Sequence, residues 1–217
     1  VDEQNRQIRQ QVKELKEAEE IRKEFSANVS HELKTPLMSI SGYAELMMNG
    51  MVRPENIADF SGRIYKEANR LGNLVADIIQ LSRLDEQQDA VVSMESVELD
   101  ELAKDVVNNL RDHAEKKNIS LDYCGIPINI QGVRHVLYEM LYNIADNAVR
   151  YTNPGGHIHI YVGKRGGKPF YRVEDDGIGI PKSEQKRIFE RFYRVDKSHS
   201  RAIGGTGLGL SIVKHAA

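Results

Sequence analysis

The stretch FSANVSHELKTPL, residues 25–37, sets a helical apolar rhythm and then interrupts it with a proline. A helix turns about 100° per residue, so with Val29 at zero Phe25, Leu33, Pro36, Ile40 and Ala44 fall within roughly 60° of it and form a buried stripe. His31 lies about 200° away, opposite that stripe, and faces water. Lys34 and Thr35 flank it one turn later. A neutral imidazole can attack an electrophilic phosphorus through one nitrogen if the other gives up its proton to a partner. Glu32, the next residue around the helix, has the chemistry to accept that hydrogen bond. Thr35 is placed to orient a water for the reverse hydrolysis. Pro36 removes a backbone hydrogen bond and loosens or kinks the helix beside the histidine.

Working outward, residues 3–24 are charged, lack Gly and Pro, and carry Ile8, Val12, Leu15 and Ile21 at near-heptad spacing. Residues 1–24 are therefore expected to form a coiled-coil stalk or linker helix, running on to about Met48. Asn49-Gly50 stops that helix and Pro54-Glu55 starts another. In the second helix Ile57, Ile64, Leu71 and Ile78 form one heptad series, and Phe60, Leu74 and Leu81 the other. Two long amphipathic helices on a short loop make an antiparallel hairpin. One hairpin leaves apolar surface uncovered, so two copies pairing into a four-helix bundle is the economical solution. Residues 25–88 are thus expected to dimerise.

The totals narrow the classes. A chain of 217 residues has room for two modest domains, and its net charge of −2 offers no electrostatic case for nucleic acid or an anionic membrane. The lone Cys124 rules out an internal disulfide and points to a reducing compartment. No long uncharged apolar run spans a bilayer and no signal peptide is visible. Val1-Asp2-Glu3 enters a helix at once, which suggests that upstream sequence is missing.

From about residue 90 the texture changes to an α/β pattern. A short strand, a helix from about Leu99 and a strand lead to a helix from about Val133 to Tyr151. Asn153-Pro154-Gly155-Gly156 then turns the chain into the alternating strand HIHIYV, and Gly166-Gly167 into FYRVED. Helices on one side of a mixed or antiparallel sheet predict an α/β sandwich over residues 90–217. The fold class expected is multi-domain, α then α/β.

Three segments of this second domain suit a nucleotide. In NIADNAVRYT, Asn143 and Asn147 share a helical face and offer amide oxygens, hard ligands for Mg²⁺. Arg150 can neutralise phosphate charge and Tyr151 can offer its ring to a base. Polar residues on a solvent-facing helix side would explain any one of these, but strain to explain all. In EDDGIGIP, Gly177 and Gly179 allow close backbone approach. A carboxylate just ahead, Asp175 or Asp176, can accept from an exocyclic amine and so favour ATP over GTP. In GGTGLGL, glycines 204, 205, 207 and 209 precede the apolar helix start SIVKHAA, where backbone N–H groups can cradle phosphates. The pattern is neither a P-loop nor a dinucleotide fingerprint.

FSANVSHELKTPL closely resembles the H-box of sensor histidine kinases, of the HisKA dimerisation and phosphotransfer type. NIADNAVRYT, DDGIGIP, IFERFYR (188–194) and GGTGLGL are similar, in order and spacing, to the N, G1, F and G2 boxes of the GHKL (Bergerat) ATPase fold. The resemblance covers residue 25 to the end. It implies His31 as phosphoacceptor, Glu32 as its acid/base partner and Thr35 as assistant in dephosphorylating a response regulator. It implies Mg²⁺ on Asn147 with Asn143 close by, and adenine read by Asp175. Phe189 and Phe192 would pack a mobile lid, and Arg194 would reach the phosphates. Further nucleotide contacts are implied for Arg150, Tyr151, Gly177, Gly179, Ile180, Gly205, Thr206, Gly207, Leu208 and Gly209.

The function so implied is ATP-dependent autophosphorylation of His31 and transfer to an aspartate of a response regulator, with phosphatase activity from the same residues. A dimeric scaffold with a vestigial nucleotide site is the alternative. The family's ATP-hydrolysing members carry a water-activating glutamate where this chain has Asn143, which favours transfer over hydrolysis. Two departures stand out: Gly132 is followed by Val133 rather than Asp, and Val136 stands where arginine is common. The family also continues past SIVKHAA with more helix and two strands, so the catalytic domain is expected to be truncated at its C-terminus. The resemblance implies a cytoplasmic fragment of a membrane-anchored parent.

Overall fold

The computed structural model describes residues 2–87, 94–196 and 205–216. The chain divides into two compact units, Val1–Ala76 and Asp77–Ala217. The expected coiled-coil register falls on helix α1 (Asp2–Met48), one continuous helix with Pro36 inside it. Ile8, Val12, Leu15 and Ile21 are exposed along it.

Helix α1 ends as its sequence dictates. Gly50 takes φ 65°, the Met51 N–H reaches the Leu46 carbonyl at 3.0 Å, and the Gly50 N–H reaches that of Met47 at 3.1 Å. These are the two bonds of a Schellman motif, and a left-handed residue at its pivot favours glycine. A single 3₁₀ turn, Pro54–Asn56, then leads into α2 (Ile57–Gln87).

In the first unit Pro36 is fully buried, and Phe25, Val29, Leu33 and Ile40 are half-buried. The expected stripe fails at its end, because Ala44 is exposed. Its neighbour Tyr43 turns inward instead and meets Phe60 edge to face at 5.5 Å. An aromatic ring gains more from that contact than a methyl group does. Leu74 is buried on α2, with Phe60, Ile64 and Leu71 half-buried, whereas Ile57 stays exposed.

The second unit is an α/β layer structure. Its elements are β1 (Glu95–Glu98), α3 (Leu99–Lys116), β2 (Ser120–Gly125), β3 (Asn129–Gly132), α4 (Arg134–Tyr151), β4 (His157–Arg165), β5 (Lys168–Asp175) and α5 (Gly209–Ala216). Strands β2, β4 and β5 lie side by side in that order, β2 parallel and β5 antiparallel to β4. The sheet is mixed, as expected. Strand β3, a four-residue segment missing from the sequence reading, pairs antiparallel with β1 in a separate ribbon. It is too short and too polar (Asn129, Gln131) to announce itself by alternation.

Helix α3 buries Leu99, Leu102, Ala103, Val106, Val107, Leu110 and Ala114, a run of three- and four-residue steps. Helix α4 buries Leu141, Ala145, Ala148 and Val149. Strand β4 alternates: Ile158, Ile160 and Val162 are buried, while His159 and Tyr161 are only half-buried. Together these side chains form one apolar core. Leu110 is completely buried in it. Leu110→Ala should destabilise this unit by about 2–5 kcal/mol through lost transfer energy and a residual cavity. Urea unfolding followed by protection of the β4 amides checks this, and a shift near zero would contradict the packing.

Candidate functional site

On α1 the His31 side chain is exposed, and its ring makes no hydrogen bond with a described residue. The Thr35 hydroxyl donates to the His31 backbone carbonyl at 3.2 Å. The Glu32 carboxylate accepts from the Arg70 guanidinium of α2 at 3.3 Å, with the two side chains only 17% and 13% exposed. Arg70 also lies 3.6 Å from Glu67. Sequence reading missed Arg70. It stands 38 positions from Glu32, where no local spacing points to it.

In the second unit the predicted residues gather around the C-terminal half of α4. The Asn143 amide nitrogen donates to the Glu139 carbonyl at 2.9 Å. Its amide oxygen lies 2.6 Å from where a side-chain carbon on Gly209 would sit, so a larger residue there would have to displace the Asn143 side chain. Asn147 is half-buried, and its side chain makes no hydrogen bond with another described residue. Arg150 is held one turn back by Asp146, and Tyr151 is half-buried.

The Gly177–Gly179 turn docks on the end of the same helix. The Tyr151 carbonyl accepts from the Ile178 N–H at 3.2 Å. A side-chain carbon on Gly177 would come within 2.5 Å of that carbonyl oxygen. Gly179 takes φ 66°, while Ile178 and Ile180 are exposed. The structure separates the two carboxylates that the sequence left in competition. Asp176 is occupied on both oxygens: Oδ1 accepts from the His157 backbone N–H at 2.8 Å, and Oδ2 lies 3.0 Å from His157 Nδ1. Asp175 accepts the Gly177 N–H at 3.0 Å through Oδ1, in an Asx-type turn.

The remaining two segments are joined to each other. The Phe192 N–H donates to the Gly207 carbonyl at 2.9 Å, and Arg194 donates to the Thr206 carbonyl at 2.7 Å. Phe192 (φ 63°) and Gly207 (φ 78°) both sit in the left-handed region. That conformation is uncommon for a bulky residue and is held here by close backbone contact. Phe189 is exposed, Gly205 half-buried and Leu208 fully buried. The Thr206 hydroxyl donates to Asp77 at 2.5 Å and accepts from the Leu208 N–H at 3.3 Å. Burial raises the Asp77 carboxyl above its ordinary pKa, opposed by the Thr206 hydroxyl and the charge of Arg150. Gly204 and residues 197–203 of the expected lid lie outside the described residues.

The donor set fits a hard cation. The Asn147 side chain has no described partner, and the hydrogen bond made by the Asn143 amide nitrogen leaves its oxygen, beside Gly209, as an acceptor.

Two family models match the chain. The His Kinase A (phospho-acceptor) domain covers residues 21–87. The Histidine kinase-, DNA gyrase B-, and HSP90-like ATPase covers residues 132–217. The chain is similar to the sensor-like histidine kinase SenX3 of Mycolicibacterium smegmatis, at 38% identity over 200 residues, 92% of this chain and 52% of that protein. Among solved structures, full-length ShkA in complex with AMPPNP aligns with a TM-score of 0.59 and 28% identity, over 89% of this chain and 40% of that one. The histidine kinase ThkA in complex with the response regulator protein TrrA shares the fold, with a TM-score of 0.69 at 24% identity over 82% and 53%. The chain spans about half the length of the curated relatives it matches. No helix among the described residues is long and apolar enough to cross a membrane.

The His157 N–H, followed by His157 Nδ1, holds the Asp176 carboxyl below its ordinary pKa of 3.8. A depressed carboxyl keeps its bonds above the ordinary value and loses them as pH falls through the lower one. The His157 amide proton shift should therefore titrate with a midpoint below 3.8, and that titration should vanish in Asp176→Asn. An NMR pH series measures this, and a midpoint above the ordinary value would contradict the pairing.

Proposed function

The chain belongs to the sensor histidine kinases of two-component systems, and from that premise we propose that it phosphorylates His31 from ATP and hands the phosphoryl group to an aspartate of a response regulator. The observation that carries this reading is the water-facing imidazole of His31, next in sequence to the Arg70-paired Glu32, in a chain whose α4 gathers two glycine-bearing segments, the Gly177–Gly179 turn and the start of α5. One imidazole nitrogen attacks the γ-phosphorus, and the bond to the β-phosphate oxygen breaks as ADP leaves. The proton on the other nitrogen passes to Glu32, which exchanges its Arg70 partner for the ring.

In the second unit Asp175 reads the adenine amine. Its Oδ1 is spent on the Gly177 N–H, its Oδ2 serves the base, and Asp176 is withdrawn from the role by His157. Asn147, with Asn143, would hold Mg²⁺, whose contribution is to neutralise phosphate charge. Arg150 and Arg194 lie beside the segments that would carry the phosphates. The amide at position 143 cannot activate water as a carboxylate does, so bound ATP persists until His31 arrives. Ile180 borders the adenine, and the backbone of Gly205, Thr206, Gly207, Leu208 and Gly209 cradles the phosphates ahead of α5.

The exposed Ile8, Val12, Leu15, Ile21 and Ile57 supply the apolar surface for a homodimer through residues 25–88, extended by a coiled coil over residues 1–24. A receiver domain would dock near His31 to take the phosphoryl group; the histidine kinase ThkA has been solved in complex with the response regulator protein TrrA. Thr35 then assists hydrolysis of the phosphorylated regulator. Residues 90–217 act as the ATP-binding domain of a membrane-anchored parent.

Incubation with γ-labelled ATP should yield an acid-labile, base-stable label that disappears in His31→Ala. Asn147→Ala should weaken ATP binding by at least about tenfold, as expected for loss of one buried polar contact. Retained label in His31→Ala would overturn the assignment. Nucleotide binding without any label would favour a scaffold instead.

A further inference from the structure

The last turn of α4 ends in carbonyls that need partners, and Lys117 supplies most of them. Its ammonium donates to the carbonyls of Val149 at 2.8 Å, Arg150 at 2.9 Å and Thr152 at 3.0 Å. An ammonium carries three N–H donors, so the group is saturated by backbone alone. The remaining ends are also accounted for. The Ala148 carbonyl takes the Thr152 N–H, and that of Tyr151 takes the Ile178 N–H. A cation at a helix C-terminus also opposes the negative end of the helix dipole.

Lys117 is held in this position by the end of its own helix. The Lys117 N–H bonds the Ala114 carbonyl at 3.0 Å, the Asn118 N–H that of Glu115 at 2.9 Å, and the Ile119 N–H that of Ala114 at 2.9 Å. Asn118 takes φ 55° at the pivot. The turn stops α3 and delivers the lysine stem to the neighbouring helix. Burial lowers the Lys117 pKa, so holding a charge here is not free. A half-buried amino group whose hydrogen-bond partners among the described residues are three backbone carbonyls points to the helix end as its task.

We propose that Lys117 is a positioning residue of the nucleotide site. By capping the final turn of α4 it fixes the Tyr151 carbonyl, and with it the Gly177–Gly179 turn that carries Asp175. The geometry allows little slack, since a single added carbon on Gly177 would already collide with the Tyr151 carbonyl. Lys117 acts on the base-reading side of the site, not on the γ-phosphate. This inference rests on the ATP-binding reading above, and it concerns which residue sets the geometry of that site.

The test compares Lys117→Met, which keeps the stem and removes every donor, with Lys117→Gln, which keeps an uncharged donor. ATP-Mg²⁺ and ADP-Mg²⁺ are titrated calorimetrically against the full chain. Uncapping the carbonyls should weaken ADP and ATP alike by about tenfold in Lys117→Met, and by less in Lys117→Gln. The KM for ATP in His31 phosphorylation should rise by the same factor, with kcat at saturating ATP within about twofold of wild type. Without nucleotide, the Ile178 amide should exchange faster with solvent while the buried amides of β4 keep their protection. Unchanged ADP affinity with unchanged Ile178 exchange would overturn the proposal. So would a loss confined to ATP, or one in kcat alone. If Lys117→Met does not fold, Lys117→Gln is judged on the same readings. Wild-type protein that binds neither nucleotide would sink the kinase reading, while Ile178 exchange still judges Lys117.

Discussion

Helix α4 has to satisfy two environments along one short cylinder. Leu141, Ala145, Ala148 and Val149 face the core, while Asn143, Asn147, Arg150 and Tyr151 stay half-exposed. The helical period makes this division possible, but it also drives the C-terminal carbonyls into a half-buried setting. An unpaired carbonyl there costs about 1–3 kcal/mol. The fold meets the demand from two directions, with Lys117 from the end of α3 and the Ile178 N–H from the glycine turn. The helix end is therefore both a structural liability and the anchor of the neighbouring segments.

The contacts of the other segments follow from that anchor. Gly177 must be glycine because the Tyr151 carbonyl occupies the space of a side chain, and a larger residue at Gly209 would displace the Asn143 amide. His157, at the start of β4, takes both oxygens of Asp176 and leaves the adjacent Asp175 to shape the turn. Phe192 accepts an unfavourable backbone conformation in order to bond Gly207. At Gly177 and between Phe192 and Gly207 backbone groups set the spacing; at Gly209 and Asp176 side chains share in it.

Much of this was legible in the sequence, for identifiable reasons. Helix ends at Met48, Leu99 and Tyr151 were marked by Gly50, by a fresh apolar period and by Asn153-Pro154. The outward position of His31 followed from a 100° step. What stayed hidden depends on distance along the chain. Arg70 meets Glu32, and Lys117 meets three carbonyls more than thirty residues away, through contacts with no local period. The pairing of Asp176 with His157, a residue on another strand, was likewise invisible to local spacing. Ala44 was misplaced because periodicity weighs every apolar residue alike, whereas the Tyr43 ring had an aromatic partner to find.

The Glu32–Arg70 pair bears on how the proposed chemistry would be controlled. A carboxylate committed to a guanidinium is a weaker acceptor for an imidazole proton, because part of its charge is already satisfied. With both side chains largely shielded from water, the pair is less screened than a surface bridge. Recruiting Glu32 to His31 thus draws on a carboxylate whose Oε2 is paired with Arg70, and Glu67 lies beside that guanidinium on the same helix. An arriving phosphate or a receiver-domain carboxylate would attract Arg70 in the same way.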